Sequence, residues 1–318
     1  MGKTTATWGS RHKSLACVGS LALSALLPSA LLAQTRPEVR LWQEALPYYN
    51  PAASIATEGG QITALYGHED SRNKYYLILG GVPLDLVGGQ HEVGAQLLHH
   101  QQDLWEQTAL SARGALRFFL GQTQSLHLGL ETTLYRLSFD GKKAQEEGIT
   151  NLELPTTKTE GKAFDLSLGA YYTDRRLSAG IAVTDVLRSS VALSERYRAQ
   201  TSPLYVAFLR YHIDWGHSFA LQPTAFASYS KPLGWRKELG ASISYQDRFS
   251  LGASYRFHSA WIAHTSIRLG DLRLGYLLER ETRTQSSPAY RHEIFLGYTL
   301  PLTQGSKEET RYKSIRLL

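Results

Sequence analysis

The chain has 318 residues, a formal charge of +6 and a single cysteine, Cys17. One cysteine allows no internal disulfide and no thiolate metal site, and without a dense basic block the surplus charge offers no nucleic-acid surface. Its 18 tyrosines and 27 glycines against one methionine mark a chain rich in side chains that suit a boundary between apolar and wet surroundings.

The first element is an export signal. Met1–Lys13 is polar and carries Lys3, Arg11 and Lys13; Leu15–Leu32 is uncharged and rich in Leu and Ala; small residues then lead to Ala33-Gln34. This order of charged, apolar and small segments places cleavage after Ala33 and makes residues 1–33 a signal peptide. Pro28 interrupts the apolar run, which is short for the roughly 20 residues of a membrane helix. Cys17 sits at the start of that run, the wrong place for lipid acylation, so the mature chain has no cysteine.

Residues 34–58 form an arm ahead of the first strand, expected at the periplasmic side. It contains Trp42, Tyr48, Tyr49, Asn50 and Pro51. Apolar aromatics in such an arm must be covered, either by plugging a lumen, by capping its rim or by docking a partner. Asn50 precedes a proline and is biased toward extended or turn geometry.

From residue 59 to 300 the dominant signal is alternation with period two. In Phe249–Phe257 one face holds Phe249, Leu251, Ala253, Tyr255 and Phe257, and the other Ser250, Gly252, Ser254 and Arg256. Segments 163–172, 236–246 and 125–138 repeat the pattern. About fourteen such segments are expected, near 60–67, 74–82, 91–100, 107–119, 125–138, 163–172, 177–184, 203–213, 218–229, 236–246, 249–257, 261–268, 272–280 and 290–300. An even number of half-apolar strands, with no later apolar run long enough for a helix span, predicts an all-β fold: a transmembrane antiparallel β-barrel in the outer membrane, crossed many times. A soluble sandwich also alternates, but its outward face is normally rich in Lys, Glu and Thr, whereas here the polar face is mostly Gly and Ser. With both ends in the periplasm, the two longest connections, 139–162 and 185–202, fall outside the cell and the inner turns are short, as in outer-membrane barrels. A tail, 301–318, follows the last strand. Lys313 and Arg316 make it a candidate contact for an acidic partner.

Several of these segments also carry a resemblance. Tyr48-Tyr49-Asn50-Pro51-Ala52-Ala53 resembles the Asn-Pro-Ala signature near the mature N-terminus of the PorP/SprF family of type IX secretion system membrane proteins. Phe164–Val183 looks like that family's central hairpin, with Tyr171-Tyr172 before the turn and Gly180 in the returning strand. Leu221-Gln222-Pro223-Thr224, Tyr245–Arg256, Asp271–Tyr276 and His292–Tyr298 resemble further strands of the family in the same order. Here Ala52-Ala53-Ser54 stands where Tyr and Gly are more usual. The resemblance implies a component of the Bacteroidota type IX secretion machinery. Its implied partners are periplasmic ring and peptidoglycan-binding lipoprotein components, secreted cargo bearing a C-terminal signal domain, and outer-membrane lipid. None of that follows from periodicity.

Catalytic chemistry finds no footing in the sequence, and no enzyme activity, cofactor or metal site is expected. His99 and His100 are adjacent on a strand and point to opposite faces, a poor metal pair. His292-Glu293 lacks zincin spacing, and the Gly80-Gly81 and Gly88-Gly89 pairs precede no phosphate-loop lysine. The inward charges Glu131, Glu238, Arg256 and Glu279 read as isolated. The expected function is therefore recruitment, with Trp42, Tyr48, Tyr49, Asn50, Pro51, Lys313 and Arg316 as candidate partner-docking residues. The alternative is a general porin or small-solute transporter.

Overall fold

The computed structural model describes residues 36–53, 59–70, 72–86, 89–149, 155–194, 198–282 and 289–301. The expected signal peptide, and the tail from residue 302 with Lys313 and Arg316, lie outside the described residues.

Strands account for nearly all the regular structure. In chain order they are β1 (Gly60–His68), β2 (Asn73–Leu86), β3 (Gly89–Gln102), β4 (Trp105–Phe119), β5 (Ser125–Asp140), β6 (Lys158–Thr173), β7 (Leu177–Thr184), β8 (Ser190–Ala192) and β9 (Arg198–Gln200). There follow β10 (Leu204–Tyr211), β11 (Ile213–Trp215), β12 (Phe219–Ser230), β13 (Gly234–Tyr245), β14 (Phe249–Arg256), β15 (Ala260–Leu269), β16 (Leu272–Glu281) and β17 (Tyr290–Leu300). Each strand pairs antiparallel with its neighbour, β10 pairs with both β7 and β12, and β1 pairs with β17 from Gly60↔Leu300 to His68↔His292. The sheet is thus a closed barrel. β10 and β11 are one strand interrupted at His212, and β8 and β9 form a separate hairpin in a loop, which leaves 14 staves. Each expected segment corresponds to one of them.

Alternation sets what each face meets. On β5, Leu128, Leu130 and Leu134 point outward and are about half exposed, while His127, Glu131, Thr133 and Tyr135 point inward and are buried. On β14, Phe249 and Leu251 face out and Ser254 and Arg256 face in. An exterior so apolar fits hydrocarbon rather than water. Aromatics ring it at both ends. Tyr205, Trp235 and Trp261 lie toward one rim, and Phe119, Trp215, Phe219, Tyr245, Phe249 and Tyr298 toward the other. Trp261 packs on Tyr255 at 4.6 Å and Trp235 on Tyr229 at 5.1 Å between ring centroids. Among the described residues no helix is long and apolar enough to cross a membrane.

The connections are unequal. Those that leave Phe119, Thr173, Trp215, Tyr245 and Leu269 are short turns, whereas the long connections after β5 and β7 both emerge at the opposite rim. The first of these contains a short helix (Gly141–Glu146), whose N-cap Asp140 accepts a bond from the Lys143 amide at 3.1 Å. The second contains the β8–β9 hairpin. The two loops share a small core of Leu137, Phe139, Ala144, Val191, Leu193 and Ala199. Asp165 braces the second loop by accepting from the Leu187 amide at 2.8 Å and the Thr201 hydroxyl at 2.7 Å.

Candidate functional site

The main core of this barrel lies in its lumen, and its centre is the stretch expected as an arm. Residues 36–53 run inside the barrel, from the long-loop end toward the short-turn end. Trp42, Tyr48, Tyr49 and Asn50 are 0–3% exposed. Chain chemistry explains the path. Pro37 and the alternation of charged and apolar residues through Arg36-Pro-Glu38-Val-Arg40 favour an extended entry. Pro47 then opens a single helical turn, Leu46–Tyr49, consistent with proline's fixed backbone angle. The Tyr48 hydroxyl donates to the Pro37 carbonyl at 2.8 Å and the Tyr49 hydroxyl to the Val39 carbonyl at 2.7 Å, which folds the turn back on the entry strand.

Each charge on this plug meets its opposite on the wall. The Arg36 guanidinium lies 3.1 Å from Glu131 and 3.3 Å from Asp185. Glu38 lies 3.0 Å from both Arg236 and Arg256. Arg40 lies 3.2 Å from Glu279 and also pairs with Glu69 and Glu293. Glu44 meets Arg273 at 2.9 Å. Burial alone would push the Glu38 carboxyl up, but the guanidiniums of Arg236 and Arg256 hold it down at about 2. Glu293 does most: its two carboxylate oxygens accept the Arg40 and Leu41 amides at 2.7 Å each, and it also takes the Tyr75 hydroxyl. One side chain on β17 thereby satisfies two main-chain donors that no strand pairs.

Apolar contacts complete the seat. Trp42 packs against Phe226 at 5.1 Å and Phe208 at 6.0 Å, while its indole N–H donates to Glu238 at 3.2 Å. Tyr49 meets Phe226 edge-on at 5.2 Å. Asn50 donates to the main-chain oxygens of Ala170 on β6, at 2.9 Å, and Ile181 on β7, at 3.2 Å. Its own carboxamide oxygen accepts the Ala52 amide at 2.9 Å. This approach requires glycine: a Cβ at Gly169 would collide with the Asn50 carboxamide, and one at Gly129 with the Pro51–Ala52 backbone. Arg113 reaches the Pro51 carbonyl at 3.4 Å and is itself paired with Glu92. The Asn-Pro-Ala signature and the hairpin glycines, some 120 residues apart, are two sides of one contact.

Of the residues singled out from sequence, Trp42, Tyr48, Tyr49, Asn50 and Pro51 therefore come together, and the chain's own barrel wall covers them. Glu131, Glu238, Arg256 and Glu279 have partners within the lumen. His99 bonds Thr108 on the exterior, with Nδ1 3.2 Å from Oγ1, while His100 lines the interior. Among the described residues no group of three His, Cys, Asp or Glu is placed to hold a metal ion. Sequence reasoning missed Glu293, Arg236 and Asp185. A signal for them was present: the alternating signs of Arg36, Glu38 and Arg40 call for complementary charges on a surrounding wall.

Comparison with known proteins gives the following. The Ralstonia pickettii toluene transporter TbuX is 11% identical, with 81% of this chain and 94% of that chain covered and a TM-score of 0.48. The Acinetobacter baumannii outer membrane protein Omp33 is 10% identical, with 76% and 98% covered and a TM-score of 0.47. No curated protein matches. The family described as type IX secretion system membrane protein PorP/SprF matches residues 31–298, a span that includes both the plug and the barrel.

Proposed function

The chain belongs to the PorP/SprF family of type IX secretion system membrane proteins, and from that premise we propose that it is a non-conducting barrel that anchors periplasmic ring components and secreted cargo at its rims. It is an outer-membrane component of the type IX machinery, and neither its family nor its fold is a known enzyme class. The observation that carries the proposal is the filled lumen. A diffusion pore needs an open, charged constriction. Here the charges that would line one are neutralised pairwise by Arg36, Glu38 and Arg40.

In this reading the short-turn end faces the periplasm and the long loops face outward, the usual arrangement of such barrels. Trp42, Tyr48, Tyr49, Asn50 and Pro51 hold the lumen shut rather than meeting a partner while the plug is seated. Contacts fall to the short-turn rim and to the tail 301–318, where Lys313 and Arg316 offer positive charge. The long loops take cargo. Affinity purification from detergent-solubilised outer membranes tests this: peptidoglycan-binding and ring components of the machine should co-purify. Their absence, or a large steady conductance of the purified protein in planar bilayers, would overturn it.

A further inference from the structure

Beneath the plug, at the short-turn end, the lumen opens into a vestibule of about 210 Å³ roofed by Leu41, Gln43 and Glu44. Four arginines from one side of the wall line it: Arg210 from β10, Arg248 from the β13–β14 turn, Arg268 from β15 and Arg273 from β16. Two carboxylates answer them, Glu44 and Asp247. Glu44 is committed to Arg273 at 2.9 Å. Among the described residues no ion pair joins Arg210, Arg248 or Arg268 to an acid, and the buried Nε of Arg210 has no hydrogen-bond partner. Its terminal nitrogen reaches only the Tyr171 hydroxyl, at 3.4 Å.

This contrasts with the arginines that surround the plug. Deeper in, Arg36, Arg40, Arg236, Arg256 and Arg291 each face a carboxylate within 3.3 Å. Three unmatched guanidiniums, Arg210 half-buried and Arg248 and Arg268 exposed at the rim, give this concave mouth a positive potential. A guanidinium fork is shaped to hold carboxylate in two parallel hydrogen bonds. Between the arginines lie Gln222, Ser242, Ser244 and Ser266, neutral groups that suit main-chain amides, and Phe295 supplies an apolar side. That mixture fits a peptide better than a bare anion. The chain's own tail is a poor occupant, since residues 302–318 carry Lys307, Arg311, Lys313 and Arg316 against Glu308 and Glu309.

We propose that the vestibule binds an acidic peptide segment of another polypeptide, with Arg210, Arg248 and Arg268 as its carboxylate receptors. This rests on the proposed function only in taking the partner to come from the periplasm. Binding itself is tested on the purified, detergent-solubilised full chain by fluorescence anisotropy. The probe is a labelled synthetic peptide rich in Glu and Asp, compared with its Gln and Asn counterpart. The acidic peptide should bind roughly tenfold or more tightly, the scale of one or two lost charge-assisted bonds, and its affinity should fall steeply with salt. The double variant Arg248→Glu/Arg268→Glu should abolish that preference, and Arg210→Gln, a milder change, should weaken it. Equal binding of both peptides, displacement by inorganic phosphate at matching concentrations, or preferential binding of a peptide with the sequence of residues 302–318 would each overturn the proposal. The variant Arg248→Cys, labelled in intact and in permeabilised cells, reads orientation separately. Labelling from outside would remove the periplasmic reading and leave the binding result standing.

Discussion

Replacing Glu293 with alanine strikes the plug where its attachment is most concentrated. Glu293 is fully buried, accepts the Arg40 and Leu41 amides at 2.7 Å, takes the Tyr75 hydroxyl and lies 3.6 Å from the Arg40 guanidinium. Alanine would leave two main-chain donors and a phenol without an acceptor. Each unsatisfied buried donor costs about 1–3 kcal/mol, and loss of one partner of a buried ion pair costs about 3–5 kcal/mol. These overlap, because Arg40 keeps Glu279 and Glu69, so the net penalty on the seated plug is about 3–5 kcal/mol. At about 1.4 kcal/mol per factor of ten, the ratio of seated to unseated plug falls roughly a hundredfold or more. The β16–β17–β1 ladder is untouched, so heat-modifiable migration on gels should still report a folded barrel. In planar bilayers the native protein should be nearly silent and Glu293→Ala should show discrete openings. Limited proteolysis should begin within residues 36–53. Glu293→Gln, which keeps one acceptor oxygen, should fall between. If Glu293→Ala were as silent and as protease-resistant as the native chain, the plug would not depend on this carboxylate and the reasoning would fail.

Gly169→Val forces a side chain into the space of the Asn50 carboxamide. It should loosen the plug by about 1–3 kcal/mol, seen as faster cleavage of the arm, with Gly169→Ala milder; unchanged cleavage for both would count against the close contact. Acid should act through Glu38. Its carboxyl is held at about 2 against an ordinary 4.5, burial opposing and Arg236 and Arg256 outweighing it. A depressed value means that its contribution is complete above 4.5 and is lost as pH falls through 2. Bilayer openings should therefore increase across that window, and Glu38→Gln should both raise openings at neutral pH and flatten the acid response.

Much of the barrel was legible because its code is local. Leu128, Leu130 and Leu134 alternate with His127, Glu131 and Tyr135 whatever the rest of the chain does, and closure into a lipid-facing wall follows. Loop lengths were legible for the same reason. The plug was legible only as a need: Trp42, Tyr48 and Tyr49 had to be covered by something. What covers them is set by contacts between residues some 90 to 250 positions apart, such as Arg36 with Glu131 and Leu41 with Glu293. No periodicity carries that information. Glu131, Glu238, Arg256 and Glu279 read as isolated because their partners lie on the plug or on neighbouring staves. Glu293 was weighed only as a neighbour of His292, although the two side chains point to opposite faces of β17. The motifs of the family resemblance were nearer the mark, since Asn50 and Gly169 meet in space.

The chemistry of the seat also bears on how the protein can act. Burying ion pairs is a poor way to gain net stability, because desolvation offsets most of the Coulomb attraction. It is an effective way to fix register, because every mismatch leaves an unpaired charge. A plug held only by an apolar core could slide along the lumen. One held by Arg36, Glu38, Arg40 and Glu44 in order has one low-energy position, to which Trp42 and Tyr49 add packing against Phe226. With the wall outside committed to lipid and the wall inside committed to the plug, the surfaces left for partners are the two rims. The long-loop rim is consolidated by its own small core around Phe139 and Val191. Among the described residues the short-turn rim has no comparable cover, and it is there that Arg210, Arg248 and Arg268 stand without carboxylate partners. A barrel that pairs every arginine around its plug with a carboxylate leaves these three open at the mouth where, in the proposed orientation, a periplasmic polypeptide would arrive.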